Sequence, residues 1–245
     1  MRKLVNIARQ PSSGPADGRE PIEAITFDVL GTLLHCPRRA EIHAEVLRRH
    51  GLPTSASAVR ERLPMVWQDM ACLTRDLRDR HTHFPGGERA FWHRSLARLC
   101  RYLDLAEPSR FASAELWNRF AHADAWSVFP DVPDALTTLR AAGLRLGVIG
   151  NWDHRLPRLL DELGLRFDAV IYSAACGVEK PHPRIFRSCL ERLGVADPRR
   201  AIHIGDRMLE DVEGAEAIGM RALRVERVGE RDLDLAHLLR PFLSC

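Results

Sequence analysis

The fold turns on the stretch Ile22-Glu23-Ala24-Ile25-Thr26-Phe27-Asp28-Val29-Leu30-Gly31-Thr32. It is a short β-rich run that closes on a carboxylate, with a glycine three residues later to make a turn. Four later apolar runs have the same shape, over residues 144–149, 169–172, 201–204 and 221–225. The middle three of the five lead through a polar loop into a helical pattern. Strand and helix alternating in this way predict an α/β fold, a parallel sheet with helices on both faces. Between the first and second strands the pattern changes. Helical periodicity runs over 41–49, 58–70, 89–102 and 110–121 with no convincing strand, so an all-helical insertion is expected. The organisation that follows is a disordered N-terminal tail over 1–20, a core domain from 21–34 and 128–245, and a helical cap over 35–127. Proline and short polar stretches near 35–37 and 127–130 are the expected hinges of that cap.

Composition narrows the function classes. The 36 basic and 33 acidic residues of the 245 are interspersed and give a net charge of +3, so nucleic-acid binding is not expected. No run approaches the ~18 apolar residues of a membrane span. The six cysteines form no CxxC pair and no zinc-like spacing with histidine, and they read as reduced packing residues of a cytoplasmic protein. The Ser/Gly/Pro-rich start has too short an apolar run for a signal peptide.

In open α/β sheets ligands bind beyond the carboxyl ends of the strands, so the residues there carry the functional information. The first strand closes with Asp28, Leu30 and Thr32 in its turn. The second closes with Gly150, Asn151 and Asp153, and the fourth with Asp206 followed by Asp211. Lys180 lies between the third and fourth, in Gly177-Val178-Glu179-Lys180-Pro181-His182-Pro183. One lysine and three aspartates converge on one sheet edge. Phosphoryl transfer through an aspartate needs such a set: a carboxylate nucleophile, carboxylates for a divalent cation, and a lysine to hold nucleophile and phosphate together.

In order along the chain, FDVLGTLL, VIGNWD, GVEKPHPRIF and IGDRMLEDVEGAEAIGM resemble the four motifs of the haloacid dehalogenase-like hydrolases, over about residues 22–225. The pattern is most similar to members with a helical cap after motif one. The resemblance implies a Rossmann-like sheet, Mg²⁺ and an aspartyl-phosphate intermediate. By matching position it makes Asp28 the nucleophile, Lys180 the clamp on nucleophile and phosphate, Asp206 a metal ligand and Asp211 a direct or indirect one. Leu30 would contribute its backbone carbonyl to the metal. Thr32, Gly150 and Asn151 fall where substrate is bound, and the substrate class implied is a small phosphorylated or acidic metabolite.

Two positions depart from that pattern. Phosphatases of the family carry a second aspartate two residues after the nucleophile as general acid and base, and here it is Leu30, a change worth ~10²- to 10⁴-fold in rate. The motif-two hydroxyl is replaced by Gly150, which removes a hydrogen bond to a charged group worth roughly 1.5 to 3 kcal/mol. The expectation is therefore a Mg²⁺-dependent phosphatase with weakened chemistry. A catalytically silent binding protein and a 2-haloacid dehalogenase are the alternatives. His81, His83 and His93 read as surface histidines rather than a metal cluster, and Trp67, Trp92 and Trp117 as core of the insertion.

Overall fold

The computed structural model describes residues 21–227 and 235–243, so the tail expected over 1–20 lies outside the described residues. In chain order the elements are β1 (Ala24–Phe27), β2 (Leu34–His35), α1 (Arg39–Arg49), α2 (Ala56–Thr74), α3 (Gly87–Tyr102), α4 (Arg110–Arg119), β3 (Ser127–Val128) and α5 (Val132–Ala141). They continue with β4 (Arg145–Gly150), α6 (Leu156–Glu162), β5 (Ala169–Tyr172), α7 (Ser173–Cys176), α8 (Pro183–Leu193), β6 (Ala201–Gly205), α9 (Gly214–Glu216), β7 (Arg221–Arg224) and α10 (Leu235–Leu243). All five strands read from the sequence form, each within two residues of its expected bounds. The two-residue strands β2 and β3, too short to leave a periodic signal, pair with each other.

The described residues fall into two compact units. The first holds the residues up to His35, Val128–Asn151 and those from Leu165 onward. Its sheet has the order β5-β4-β1-β6-β7, and every neighbouring pair is parallel. β1 and β6 are buried along their whole length, and β4 at all but its first residue, whereas the edge strand β7 is only half-buried. Central strands of a parallel sheet behave this way because both of their faces are covered. Phe27 lies in register with Val148 on one side and Ile204 on the other. The carboxyl ends of β1, β4 and β6 are therefore level, and strand order reverses around β1, which is where such sheets bind ligands.

The second unit holds Cys36–Ser127 and also Trp152–Gly164. Its α1–α4 bury Leu47, Val59, Met70, Phe91, Leu99 and Leu116 in one core. Ser55 and Ser109 cap α2 and α4, each accepting from the backbone N–H three residues on at 3.1 Å. The segment Trp152–Gly164 was expected in the core domain, and a buried ion pair explains its place here. The Asp153 carboxylate, fully buried, accepts from Trp92 Nε1 at 2.8 Å and from Arg155 Nη2 at 2.6 Å and Nε at 2.8 Å. Arg155 also donates from Nη1 to the Trp117 carbonyl at 2.7 Å, and its guanidinium lies 3.7 Å from the Trp117 ring centroid. The chain thus passes between the units four times, not twice as the sequence pattern suggested.

The reading of His81 as a surface residue is corrected as well. It is 3% exposed, stacked on Trp92 and edge-on to Phe91, and burial pulls its pKa down to about 4. It is a neutral core ring, while His83 is exposed.

Candidate active site

Asp28 follows β1 and continues its ladder, donating its backbone N–H to the Ile204 carbonyl at 2.8 Å. The chain then folds tightly back. Leu33 and Leu34 donate to the Val29 carbonyl at 2.9 Å, and Gly31 donates to the Leu34 carbonyl at 2.8 Å. Gly31 has φ +89°, and a Cβ there would stand 2.7 Å from Asp206 Oδ2. Only glycine lets this turn close against the second carboxylate.

Lys180 enters from the loop between α7 and α8. Asn151 places it, because its Oδ1 accepts from the Lys180 backbone N–H at 2.7 Å and its Nδ2 donates to the Lys180 carbonyl at 3.2 Å. To the expected place of Asn151 at the substrate edge the structure adds this second task, holding the lysine loop. The Lys180 ammonium, 2% exposed, donates to Asp28 Oδ1 and to Asp211 Oδ1, each at 2.6 Å. Asp211 rises from a π-helical turn over Met208–Glu213. A Cβ on Gly205 would lie 2.2 Å from its Cγ, so that glycine admits the carboxylate to the lysine. Asp211 Oδ2 accepts from the Arg207 N–H at 2.9 Å, and Oδ1 accepts a second contact from His203 Nε2 at 3.3 Å.

Two carboxylates thus share one ammonium, and a third, that of Asp206, lies beside them. Burial alone would raise the Asp211 pKa, but Lys180 and His203 outweigh it and hold the group well below the usual carboxylate range. Burial pushes Asp28 up to about 7 against the pull of Lys180, with repulsion from Asp211 adding to the rise. Asp206 is also raised, by burial and then by Asp211. Lys180 stays charged, since its two carboxylates overcome the desolvation that would lower it. One ammonium is shared between Asp28 and Asp211 with Asp206 beside them, so the cluster is left with surplus negative charge.

The donor set suits a divalent cation. Ligand atoms of Asp28, Asp206 and Asp211 lie within 4.8 Å of one another, and Asp206 Oδ1 is buried without a hydrogen-bond donor. Hard cations take all-oxygen sites of this kind. Both oxygens of Asp211 already accept donors, so Asp28 and Asp206 are the carboxylates with ligand capacity to give.

Leu30 is 38% exposed and brings no titratable group. Gly150 closes β4 at the same edge. Thr32 is fully buried and its hydroxyl has no partner, so its place is beneath the turn. Its carbonyl accepts from Arg227 Nη2 at 2.7 Å and Nε at 3.2 Å. Arg227 is paired with Asp131 at 2.6 Å and lies 4.2 Å from the Phe129 ring centroid. Nothing in the sequence pattern marked this brace on the turn after Asp28, because its partners are about 100 and 200 residues apart. An open recess of about 400 Å³ beside Asp206 is lined by Arg207, Met208, Leu209, Glu210 and Arg224.

A parallel sheet with an aspartate after its first strand, a buried lysine bridging it to a second aspartate and a third beside them defines a class of hydrolase. The chain belongs to the haloacid dehalogenase-like hydrolases, whose family profile it matches over residues 22–219. Among its relatives is haloacid dehalogenase-like hydrolase domain-containing protein 3 of Homo sapiens, 33% identical over 93% of this chain and 96% of that protein. A glyceraldehyde 3-phosphate phosphatase of Pyrococcus abyssi is 30% identical over 82% of this chain and 80% of its own length. Among solved structures, a phosphatase of the family from Thermococcus onnurineus superposes with TM-score 0.61 at 27% identity, covering 91% of this chain and 98% of that one.

Proposed function

We propose that this hydrolase is a Mg²⁺-dependent phosphatase that transfers the phosphoryl group of a small metabolite to Asp28. The observation that carries the reading is the buried Asp28–Lys180–Asp211 bridge with the orphaned Asp206 oxygen beside it. The relatives named as phosphatases support a small phosphorylated substrate. The five described cysteines are free thiols, and no helix among the described residues is long and apolar enough to cross a membrane; both agree with a cytoplasmic setting.

Asp28 and Asp206, with the Leu30 carbonyl, would hold the cation, which offsets charge on the carboxylates and the phosphate. Lys180 fixes one Asp28 oxygen and leaves the other for attack at phosphorus. That O–P bond forms as the ester P–O bond breaks, and the electron pair departs on the leaving oxygen. Leu30 supplies no proton to that oxygen. Aryl and acyl phosphates, whose leaving groups are stable anions, should therefore phosphorylate Asp28, while alkyl phosphates should not. Water must next attack the aspartyl-phosphate, and the base for that step is missing at the same position.

p-Nitrophenyl phosphate should then give a burst of about one product per active site followed by slow turnover. Leu30→Asp should abolish the burst and raise the steady rate, more so with Gly150→Ser, because groups acting on one transition state are not additive. A linear time course with alkyl and aryl esters cleaved alike would place the proton source elsewhere. No burst, no turnover and no rescue by the double substitution would make the chain a silent binder. Leu30 also suits a dehalogenase, since halide leaves without a proton, and chloride release from 2-chloropropionate in EDTA would establish that reading instead.

A further inference from the structure

Beneath the site, two polar side chains occupy the two central strands where apolar ones would ordinarily stand. Thr26 and His203 are both fully buried and face each other in register across β1 and β6. Thr26 Oγ1 lies 2.8 Å from His203 Nδ1, and His203 Nε2 lies 3.3 Å from Asp211 Oδ1. Asp211 and Asp28 share Lys180, and Asp28 is two residues beyond Thr26 on the same strand face. The five side chains form a polar chain that leaves β1 at Thr26 and returns to it at Asp28.

The hydrogens in that chain can be placed by their chemistry. An ionised carboxylate only accepts, so His203 must carry its proton on Nε2. The other ring nitrogen then needs a donor, and the Thr26 hydroxyl supplies it. The alternative acceptor for that hydroxyl, the Ile202 carbonyl, is 3.5 Å away, at the limit of a hydrogen bond. Phe186 stands edge-on to the ring, with the two centroids 5.2 Å apart.

We propose that His203 is a positioning residue for the phosphoryl-transfer chemistry: locked by Thr26 as the neutral Nε2–H tautomer, it aims the Asp211 carboxylate at Lys180 and so fixes Lys180 on Asp28. The inference rests on the reading of Asp28 as nucleophile for its catalytic meaning, though not for its geometry. A histidine that merely fills the core would leave Lys180 indifferent to its replacement by an apolar residue of similar size.

The test uses the full chain and a readout independent of turnover. Long-range ¹H–¹⁵N correlations should show His203 as a single Nε2–H tautomer, and the Lys180 ammonium should give a sharp signal protected from water exchange. His203→Gln, which keeps a donor toward Asp211, should preserve the Lys180 signal, while His203→Leu should broaden it. Thr26→Val, nearly isosteric, should leave the ring in mixed tautomers, and it carries the test if His203→Leu does not fold. With p-nitrophenyl phosphate, the burst rate should fall about tenfold in His203→Leu with the half-saturating concentration unchanged, and His203→Gln should recover it. An Nδ1–H tautomer, or a Lys180 signal as sharp in His203→Leu and Thr26→Val as in the parent, overturns the proposal. Absence of any burst in the parent protein would count against the phosphatase reading alone, and the Lys180 signal would still decide this one.

Discussion

Each unit of the molecule buries an aspartate against a cation, and the two arrangements are opposite in kind. In the helical unit, Asp153 faces Arg155 and Trp92, and both its oxygens receive donors from planar, well-packed partners. Burial would raise its pKa, yet Arg155 brings it below the usual value. In the sheet unit, Asp28 shares its only ammonium with Asp211 and has Asp206 beside it, so its pKa is driven up to about 7. A charge pair closed on itself holds a structure together. A cluster left short of positive charge, with carboxyl pKa values pushed up, is the kind of arrangement found at functional sites.

The sharpest way to break this comparison is to remove Asp153. Breaking a buried pair leaves the surviving charge without compensation, which costs ~3 to 5 kcal/mol, and Arg155 is only 10% exposed at its side chain. Asp153→Ala should lower stability by about that much in urea unfolding, with the loss concentrated in the helical unit and Trp152–Gly164. If it costs under about 1 kcal/mol, the pair is no more than a surface-like contact.

How much of this could be read from the sequence follows from range. Strands, the helical insertion and the four acidic or basic site residues are legible because periodicity and strand-end position are local signals. Leu30 and Gly150 were equally legible as departures. The two bonds of the Asn151 amide to the Lys180 backbone, 29 residues away, left no local signal in the sequence. The attachment of Trp152–Gly164 to the helical unit was missed because it depends on Trp92 and Trp117, which come from distant helices. His81 was misjudged for the same reason: a His-Thr-His loop looks solvated until Phe91 and Trp92 cover it. His203 did leave a signal, a lone histidine inside the apolar strand Ala201–Gly205, but it says only that a polar partner must exist.

A second prediction concerns the under-compensated cluster directly. In the metal-free protein Asp28 holds its proton more tightly than it would unfolded, where its pKa is near 3.8. Stability is therefore full below about pH 4 as far as this group is concerned, and is lost as pH rises toward 7. Asp153, with its lowered pKa, has the opposite sign, present above the unfolded value and lost in acid. Asp28→Asn should abolish the p-nitrophenyl phosphate burst and, without divalent cations at pH 8, stabilise the fold by roughly 2 to 4 kcal/mol. An activity loss joined to stabilisation would separate a functional carboxylate from a structural one, and a destabilised Asp28→Asn would erase the distinction between the two clusters.

The third and smallest effect is the response to Mg²⁺, and it follows from the same proton. A cation that uses Asp28 must displace that proton, so apparent affinity should fall about tenfold for each pH unit below 7 and level off above it. At pH 5 binding would be about a hundredfold weaker than at pH 8, which at a saturating concentration removes about 2.7 kcal/mol of ligand stabilisation by mass action. The melting temperature should therefore rise with millimolar Mg²⁺ at pH 8 and hardly at all at pH 5. In Asp206→Asn the rise should be lost at both, because the buried Oδ1 that awaits a ligand is replaced by a neutral amide atom. A Mg²⁺ shift that is the same at pH 5 and pH 8, or that survives in Asp206→Asn, would mean the ion binds somewhere other than the cluster whose charge deficit calls for it.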